Sequence, residues 1–256
     1  MLPPNNFFRV DDLSVQIYNS QVEMADKVAA IAQNYLQQIL DQQETAAVLL
    51  ATGNSQLKFL DALIRFGGVD WSRITCFHLD EYLGIKADHP ASFRRYLRER
   101  VEKRVFPLKF HYIEGDALQP LTECDRYTKL LQAQPIDLCC LGIGENGHLA
   151  FNDPAVANFQ DPHSVKLVKL DKANRQQQVN TGHFSNIDHV PQYAFTVTLP
   201  LICAAKKIIC LAPEKRKAPI VKQMLTGSIN INCPASILRQ KSPATLFLDI
   251  DSASLL

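Results

Sequence analysis

Short apolar runs recur along this chain with helix-patterned segments between them, and that alternation is what most limits how it can fold. The runs are LSVQIYN (13–19), AAVLLAT (46–52), ITCFHLD (74–80), FHYIEG (110–115), IDLCCLGI (136–143), VKLVKL (165–170), AFTVTL (194–199), KKIICLA (206–212) and ATLFLDI (244–250). After the first run, Ser20 and Glu23 have the spacing of a capping box, and Val28, Ala32, Leu36, Ile39 and Leu40 continue at helical spacing to about residue 42. Further helices are predicted from about residue 54 to Phe66, where Gly67-Gly68 ends the segment, and over 92–101 and 122–131. Two more run from Asp171 onward and up to Leu225. IDLCCLGI is apolar throughout, as a strand covered on both faces must be. Strand and helix in alternation predict an α/β layer fold with a mostly parallel sheet. No repeat, low-complexity tract or linker interrupts the pattern, so residues 1–256 are expected to form one domain.

Charge removes several function classes. Lys and Arg number 27 against 26 Asp and Glu, giving a formal net charge of +1. Phosphate-driven nucleic-acid binding needs clustered positive charge, so no nucleic-acid partner is expected. No apolar run approaches the ~20 residues that span a bilayer, so no membrane segment is expected either. MLPPNNFFRVDD lacks a basic segment followed by an apolar stretch, which argues against a secretory leader and for a cytoplasmic protein. The seven cysteines include no CxxC pair, so they read as reduced, buried thiols with no metal site among them.

In open α/β sheets, function gathers where loops cross the carboxyl ends of the strands. Three such loops carry unusual chemistry. Thr52, Gly53, Asn54 and Ser55 stand between a buried strand and a helix start, where free N–H groups and hydroxyls can hold a phosphate. The alternative is that Asn54 or Ser55 merely caps the helix. Asp80 and Glu81 follow an apolar strand; desolvation and like charge raise a carboxyl pKa there, as a general base requires. The alternative has Asp80 capping a turn and Glu81 solvated. The third loop, LGIGENGHLAFNDP (141–154), contains GxGxxG at Gly142, Gly144 and Gly147. Asn152-Asp153-Pro154 breaks the chain too soon for the long helix of a dinucleotide site. His148, between Asn146 and Asp153, suits a proton shuttle near neutral pH.

TGNSQ, FHLDEYLG followed by HPASF, LGIGENGHLAFNDP and the later CPASILRQ together resemble the glucosamine-6-phosphate deaminase family over about residues 20–250. The resemblance implies a Rossmann-like three-layer fold, no metal or organic cofactor, and an amino-sugar phosphate as the small-molecule partner. It implies conversion of glucosamine 6-phosphate and water to fructose 6-phosphate and ammonia. Asp80 then matches the base that moves a proton from C2 to C1. His148 matches the ring-opening group, oriented by Asn146 and Asp153. Lys217, in APEKRKA, matches a lysine on the substrate phosphate beside Thr52–Ser55, and Gly142 and Gly144 of the third loop are expected to bind substrate as well.

This chain departs from the family pattern at several points. Many members have Asp at position 146 and Glu at 153, and a second glycine in the phosphate loop. A family arginine expected after VKLVKL has Arg175 as its nearest candidate, with Gln178 at the matching position. The chain ends at Leu256 without the tail of the allosteric hexameric members, so activation by an acetylated sugar phosphate is not expected; a homo-oligomer is left open. The rival readings are a 6-phosphogluconolactonase-type hydrolase, whose loop more typically reads GHTASLFP, and a sugar-phosphate-binding relative without turnover.

Overall fold

The computed structural model describes residues 6–180, 182, 184–241 and 243–256. The first five residues of the segment read for a leader lie outside them. Eleven strands are described: β1 (Phe7–Val10), β2 (Leu13–Tyr18), β3 (Ala46–Leu50), β4 (Ile74–His78), β5 (Asp80–Tyr82), β6 (Lys109–Phe110), β7 (Leu138–Gly142), β8 (Val165–Lys169), β9 (Tyr193–Val197), β10 (Lys207–Leu211) and β11 (Ala244–Asp249). The α-helices are α1 (Gln21–Gln42), α2 (Asn54–Phe66), α3 (Phe93–Leu97), α4 (Lys103–Val105), α5 (Pro120–Gln132), α6 (Lys172–Asn180), α7 (Leu199–Cys203) and α8 (Ala218–Thr226).

Eight strands form one sheet in the order β1-β2-β11-β10-β7-β3-β4-β6, parallel except for the β1–β2 hairpin. Its central strands β3, β4 and β7 are apolar and almost wholly buried, because helices cover both faces. The two faces appear as two separate apolar clusters, one gathering Leu49, Leu141 and Leu246, the other Val48, Leu138 and Phe247. The α/β reading and the parallel sheet agree with this architecture. All seven cysteines are free and buried. No described helix is long and apolar enough to cross a membrane.

A second sheet departs from the expectation. β5, β9 and β8 form a separate antiparallel sheet, so VKLVKL and AFTVTL are not strands of the main one. ITCFHLD is likewise divided: β4 ends at His78, Leu79 accepts from Val197 N, and Asp80 begins pairing with Thr196. The chain therefore passes between two sheets at Leu79–Asp80. FHYIEG contributes only Phe110 to a strand, and the 92–101 helix becomes α3 followed by a π-turn at Arg98–Glu102. Ser20 caps α1 as expected, although Glu23 reaches back to Asn19 N, one residue beyond the usual partner.

Candidate active site

From β3 the main sheet grows through β4 to β6 on one side, then restarts at β7 on the other. The loops after β3 and β7 thus diverge from adjacent strands and leave a crevice between them, as at any topological switch point. A cavity of about 170 Å³ lies there, far more than the ~10–15 Å³ that a single water needs. All three singled-out loops reach it, through Thr52–Ser55, Asp80 and Gly142–His148.

One end is built of donors. Gly53 occupies the N-cap of α2 at φ 97° and, having no side chain, gives the helix's first N–H groups no side-chain cap. Neither Asn54 nor Ser55 caps the helix; both lie inside its first turn and line the cavity. Tyr96 Oη donates to Gly53 O at 3.1 Å, which fixes that carbonyl. Lys217 ends the 3-10 turn Lys215–Lys217, only 5% exposed, and lines the same cavity. Burial and the nearby Arg216 push its ammonium down to about 8, against the pull of Glu145 and Glu214. Arg216 also faces the cavity, held by Glu214 at 2.6 Å and Glu145 at 2.8 Å. Free N–H groups, a hydroxyl and a desolvated ammonium form a receptor for an anion.

The other end holds a carboxylate and an imidazole. Successive strand residues point to opposite faces, so Asp80 and Glu81 separate. Asp80 faces the cavity, and burial followed by the Glu81 charge holds its carboxyl well above the usual range. Glu81 points away and is fully buried. It accepts from Ser92 Oγ (2.8 Å), Phe93 N (3.2 Å) and Arg94 N (2.9 Å), clamping the start of α3. The alternative in which Glu81 is solvated is therefore corrected: four donors, the Tyr82 N–H included, draw it inside.

His148 is fixed by its neighbours. Asn146 Oδ1 accepts from the His148 backbone N–H at 3.1 Å and lies 2.7 Å from Nδ1; Asp153 Oδ1 lies 3.0 Å from the same nitrogen. With two acceptors at Nδ1, the neutral ring carries its proton there and keeps Nε2 as a base. The amide of Asn146 donates to Asp153 Oδ1 and to Asp171 Oδ2, which sets its orientation. Asn174, 1% exposed on α6, donates to both oxygens of Asp153 at 3.1 Å. Burial alone would raise the Asp153 carboxyl, but the bonds from His148, Asn146 and Asn174 outweigh it and hold it low. Gly144 is required because a Cβ there would sit 2.1 Å from the imidazole. Ala235 N, in the 3-10 helix Pro234–Gln240 of CPASILRQ, braces the loop by donating to Gly147 O at 2.8 Å.

Of the residues singled out from sequence, Thr52, Gly53, Asn54, Ser55, Asp80, Gly142, Gly144, His148 and Lys217 line the cavity, and Asn146 and Asp153 stand behind His148. Arg175 does not line it. Its guanidinium donates to Ile187 O and Val190 O and not into the cavity, so its assignment to the binding site is corrected. Gln177 and Gln178, two and three residues further along α6, reach the cavity instead. HPASF supplies Pro90–Phe93 to the wall. Sequence reasoning passed over Tyr96, Arg216 and Asn174. For the last, the usable signal was a short polar residue inside an otherwise solvated helix.

Residues 19–247 match the family described as glucosamine-6-phosphate isomerases/6-phosphogluconolactonase. A protein of Exiguobacterium sibiricum named glucosamine-6-phosphate deaminase is 35% identical over 237 residues, covering 92% of this chain and 91% of its own. One of Listeria monocytogenes with the same name is 36% identical over 208 residues, covering 81% and 86%. Among solved structures, a monomeric glucosamine-6-phosphate deaminase superposes with a TM-score of 0.87 at 30% identity, over 94% of this chain and 99% of that one. A 6-phosphogluconolactonase of Thermotoga maritima gives 0.75 at 19% identity, over 92% and 98%, a likeness of fold alone.

Proposed function

The chain belongs to the family of glucosamine-6-phosphate isomerases and 6-phosphogluconolactonases, and on that premise we propose that it is a glucosamine-6-phosphate deaminase, converting glucosamine 6-phosphate and water to fructose 6-phosphate and ammonia. The observation that carries this reading is two proton-transfer groups, Asp80 and His148, on separate loops of one cavity whose other end gathers the α2 N-terminus, hydroxyls and the Lys217 ammonium as donors for an anion.

The chemistry needs that division. A closed pyranose has no acidic C2 proton, so the ring must open before enolisation. His148 Nε2 takes the proton from the anomeric hydroxyl and returns it to the ring oxygen, exposing the aldehyde. Asp153 and Asn146 steady the imidazolium formed in between. Asp80 then removes the C2 proton, giving an enolamine, and delivers it to C1. The C2 carbon is now an imine; water adds there and ammonia leaves. A raised pKa makes Asp80 a stronger base than a solvated aspartate, and general acid–base groups contribute roughly 10²–10⁴-fold each. Lys217, Ser55 and the α2 start hold the 6-phosphate, so the sugar lies across both groups.

Lactone hydrolysis needs one base to activate water at one carbonyl carbon, so a second proton-transfer group, the buried Asp80 carboxylate in the same cavity as His148, supports the deaminase. The test is ammonia release from a panel of 2-amino-2-deoxyhexose 6-phosphates, with 6-phosphogluconolactone hydrolysis alongside. Release from glucosamine 6-phosphate is expected; lactone hydrolysis without ammonia would overturn the reading.

A further inference from the structure

Gln56 is fully buried under the first turn of α2, next to the Ser55 hydroxyl that lines the cavity. Its Nε2 donates to Ser55 Oγ at 3.0 Å. Its own Oε1 is buried with no hydrogen-bond partner. Gly142 packs against the pair: a Cβ there would lie 2.6 Å from Ser55 Oγ and 3.5 Å from Gln56 Nε2. The last residue of β7 therefore has to be glycine for the serine and glutamine to sit where they do.

A hydroxyl carries one proton and two lone pairs. With Gln56 filling a lone pair, the proton of Ser55 cannot turn toward the amide. The cavity that Ser55 lines is the open side left to that proton. The reverse amide orientation would accept from Ser55 and strand an NH₂ in the interior. An orphaned N–H is the rarer and costlier omission, and here there would be two of them.

We propose that Gln56 is a positioning residue that makes Ser55 a donor toward the cavity, and so tunes the site for an acceptor-only phosphate dianion over a neutral hydroxyl. The assignment rests on the reading above that this end takes the 6-phosphate. The α2 N–H groups and the charged Lys217 are donors only, so a ligand oxygen bearing its own proton finds at most the second lone pair of Ser55 as an acceptor among these groups. Gln56 contributes without touching the ligand. It decides which way a neighbouring hydroxyl faces.

The experiment is a double-mutant cycle read by calorimetric titration of inorganic phosphate into the protein without sugar. Gln56→Leu keeps the volume and removes the donor; Ser55→Ala removes the hydroxyl. Ser55→Ala should weaken phosphate about tenfold, the scale of one hydrogen bond to a charged group. Gln56→Leu should weaken it by about three- to tenfold, and the double variant should match Ser55→Ala within about twofold, because Gln56 acts only through Ser55. In turnover, KM should rise in Gln56→Leu while kcat stays level, a split that general loosening of the fold would not give. Tighter phosphate binding in Gln56→Leu would mean that the hydroxyl had faced the amide, and would overturn the proposal. Unchanged binding, or additive losses in the double variant, would do the same. Should the leucine variant not fold, Gln56→Glu offers an acceptor in place of the donor; its phosphate affinity must fall in the Ser55 background by more than it falls beside Ser55→Ala. Phosphate binding needs no turnover, so a protein that passes this cycle yet releases no ammonia overturns the deaminase reading and leaves Gln56 where it stands.

Discussion

Lys217→Met separates binding from folding more sharply than any other change in the site. The ammonium is 5% exposed, and its pKa stands at about 8 against an ordinary 10.5. At ~1.4 kcal/mol for each tenfold in proton affinity, the fold disfavours the charged lysine by about 3 kcal/mol. Below pH 8 the lysine is charged in both folded and unfolded chains, and the folded state bears the whole penalty. Between pH 8 and 10.5 the folded chain releases its proton, and the penalty fades. Methionine keeps the stem and removes the charge, so the ligand-free variant should be more stable by about 3 kcal/mol at pH 7, with the gain vanishing by about pH 10.5. Its KM for the sugar phosphate should rise by one to two orders of magnitude, from loss of a charge-assisted bond of ~1.5–3 kcal/mol. Urea unfolding across pH, with steady-state kinetics at pH 7, reads both. A variant less stable at pH 7, or a gain that ignores pH, would refute the assignment of a strained, ligand-seeking ammonium; an unchanged KM would move the phosphate elsewhere.

Asp80→Asn should fold and lose turnover by at least the ~10²–10⁴-fold of a general base, with solvent-deuterium exchange at C2 vanishing too; persistence of exchange would clear Asp80 of the role. Because burial raises the Asp80 carboxyl, its ionised form strains the fold, so the Asn variant should gain stability over the wild type as pH rises, measurable by thermal melting. Gly144→Ala should lower kcat with little change in KM, since its Cβ would displace the His148 ring and not the phosphate groups. Asn174→Leu removes the donor to both Asp153 oxygens and should likewise act on kcat; a change confined to KM would mean that α6 serves binding alone.

The central parallel strands were legible because burial on both faces leaves an uninterrupted apolar run, as in AAVLL and LCCLG. The second sheet was hidden for the same reason. Leu79 is 1% exposed between His78 and Asp80, so nothing in ITCFHLD marks where one sheet ends and the next begins. Glycine and histidine motifs pointed to the His148 loop that lines the cavity, and the structure adds why glycine stands there: the imidazole occupies the space of a Gly144 side chain. Arg175 was misplaced because sequence gives the helix but not where a long side chain bends: Arg175 and Gln178 sit on neighbouring faces of α6, yet the guanidinium is drawn to the Ile187 and Val190 carbonyls and not to the cavity. Glu81 was misjudged because its partners, Ser92 to Arg94, lie more than ten positions away. The departures at 146 and 153 become intelligible only in space. The shorter Asp153 still reaches His148 at 3.0 Å, and the untitratable Asn146 is oriented by two carboxylates, Asp153 and Asp171.

The claim that ring opening and enolisation belong to different groups is tested most directly in His148→Gln, by comparing two rates in the same protein. One is forward turnover of cyclic glucosamine 6-phosphate. The other is solvent exchange of the C1 proton of open-chain fructose 6-phosphate with ammonium present. Forward turnover is predicted to fall by ~10²–10⁴-fold while exchange, carried by Asp80, is much less impaired. Equal loss of the two rates would contradict the division and make Asp80 and His148 a single coupled relay.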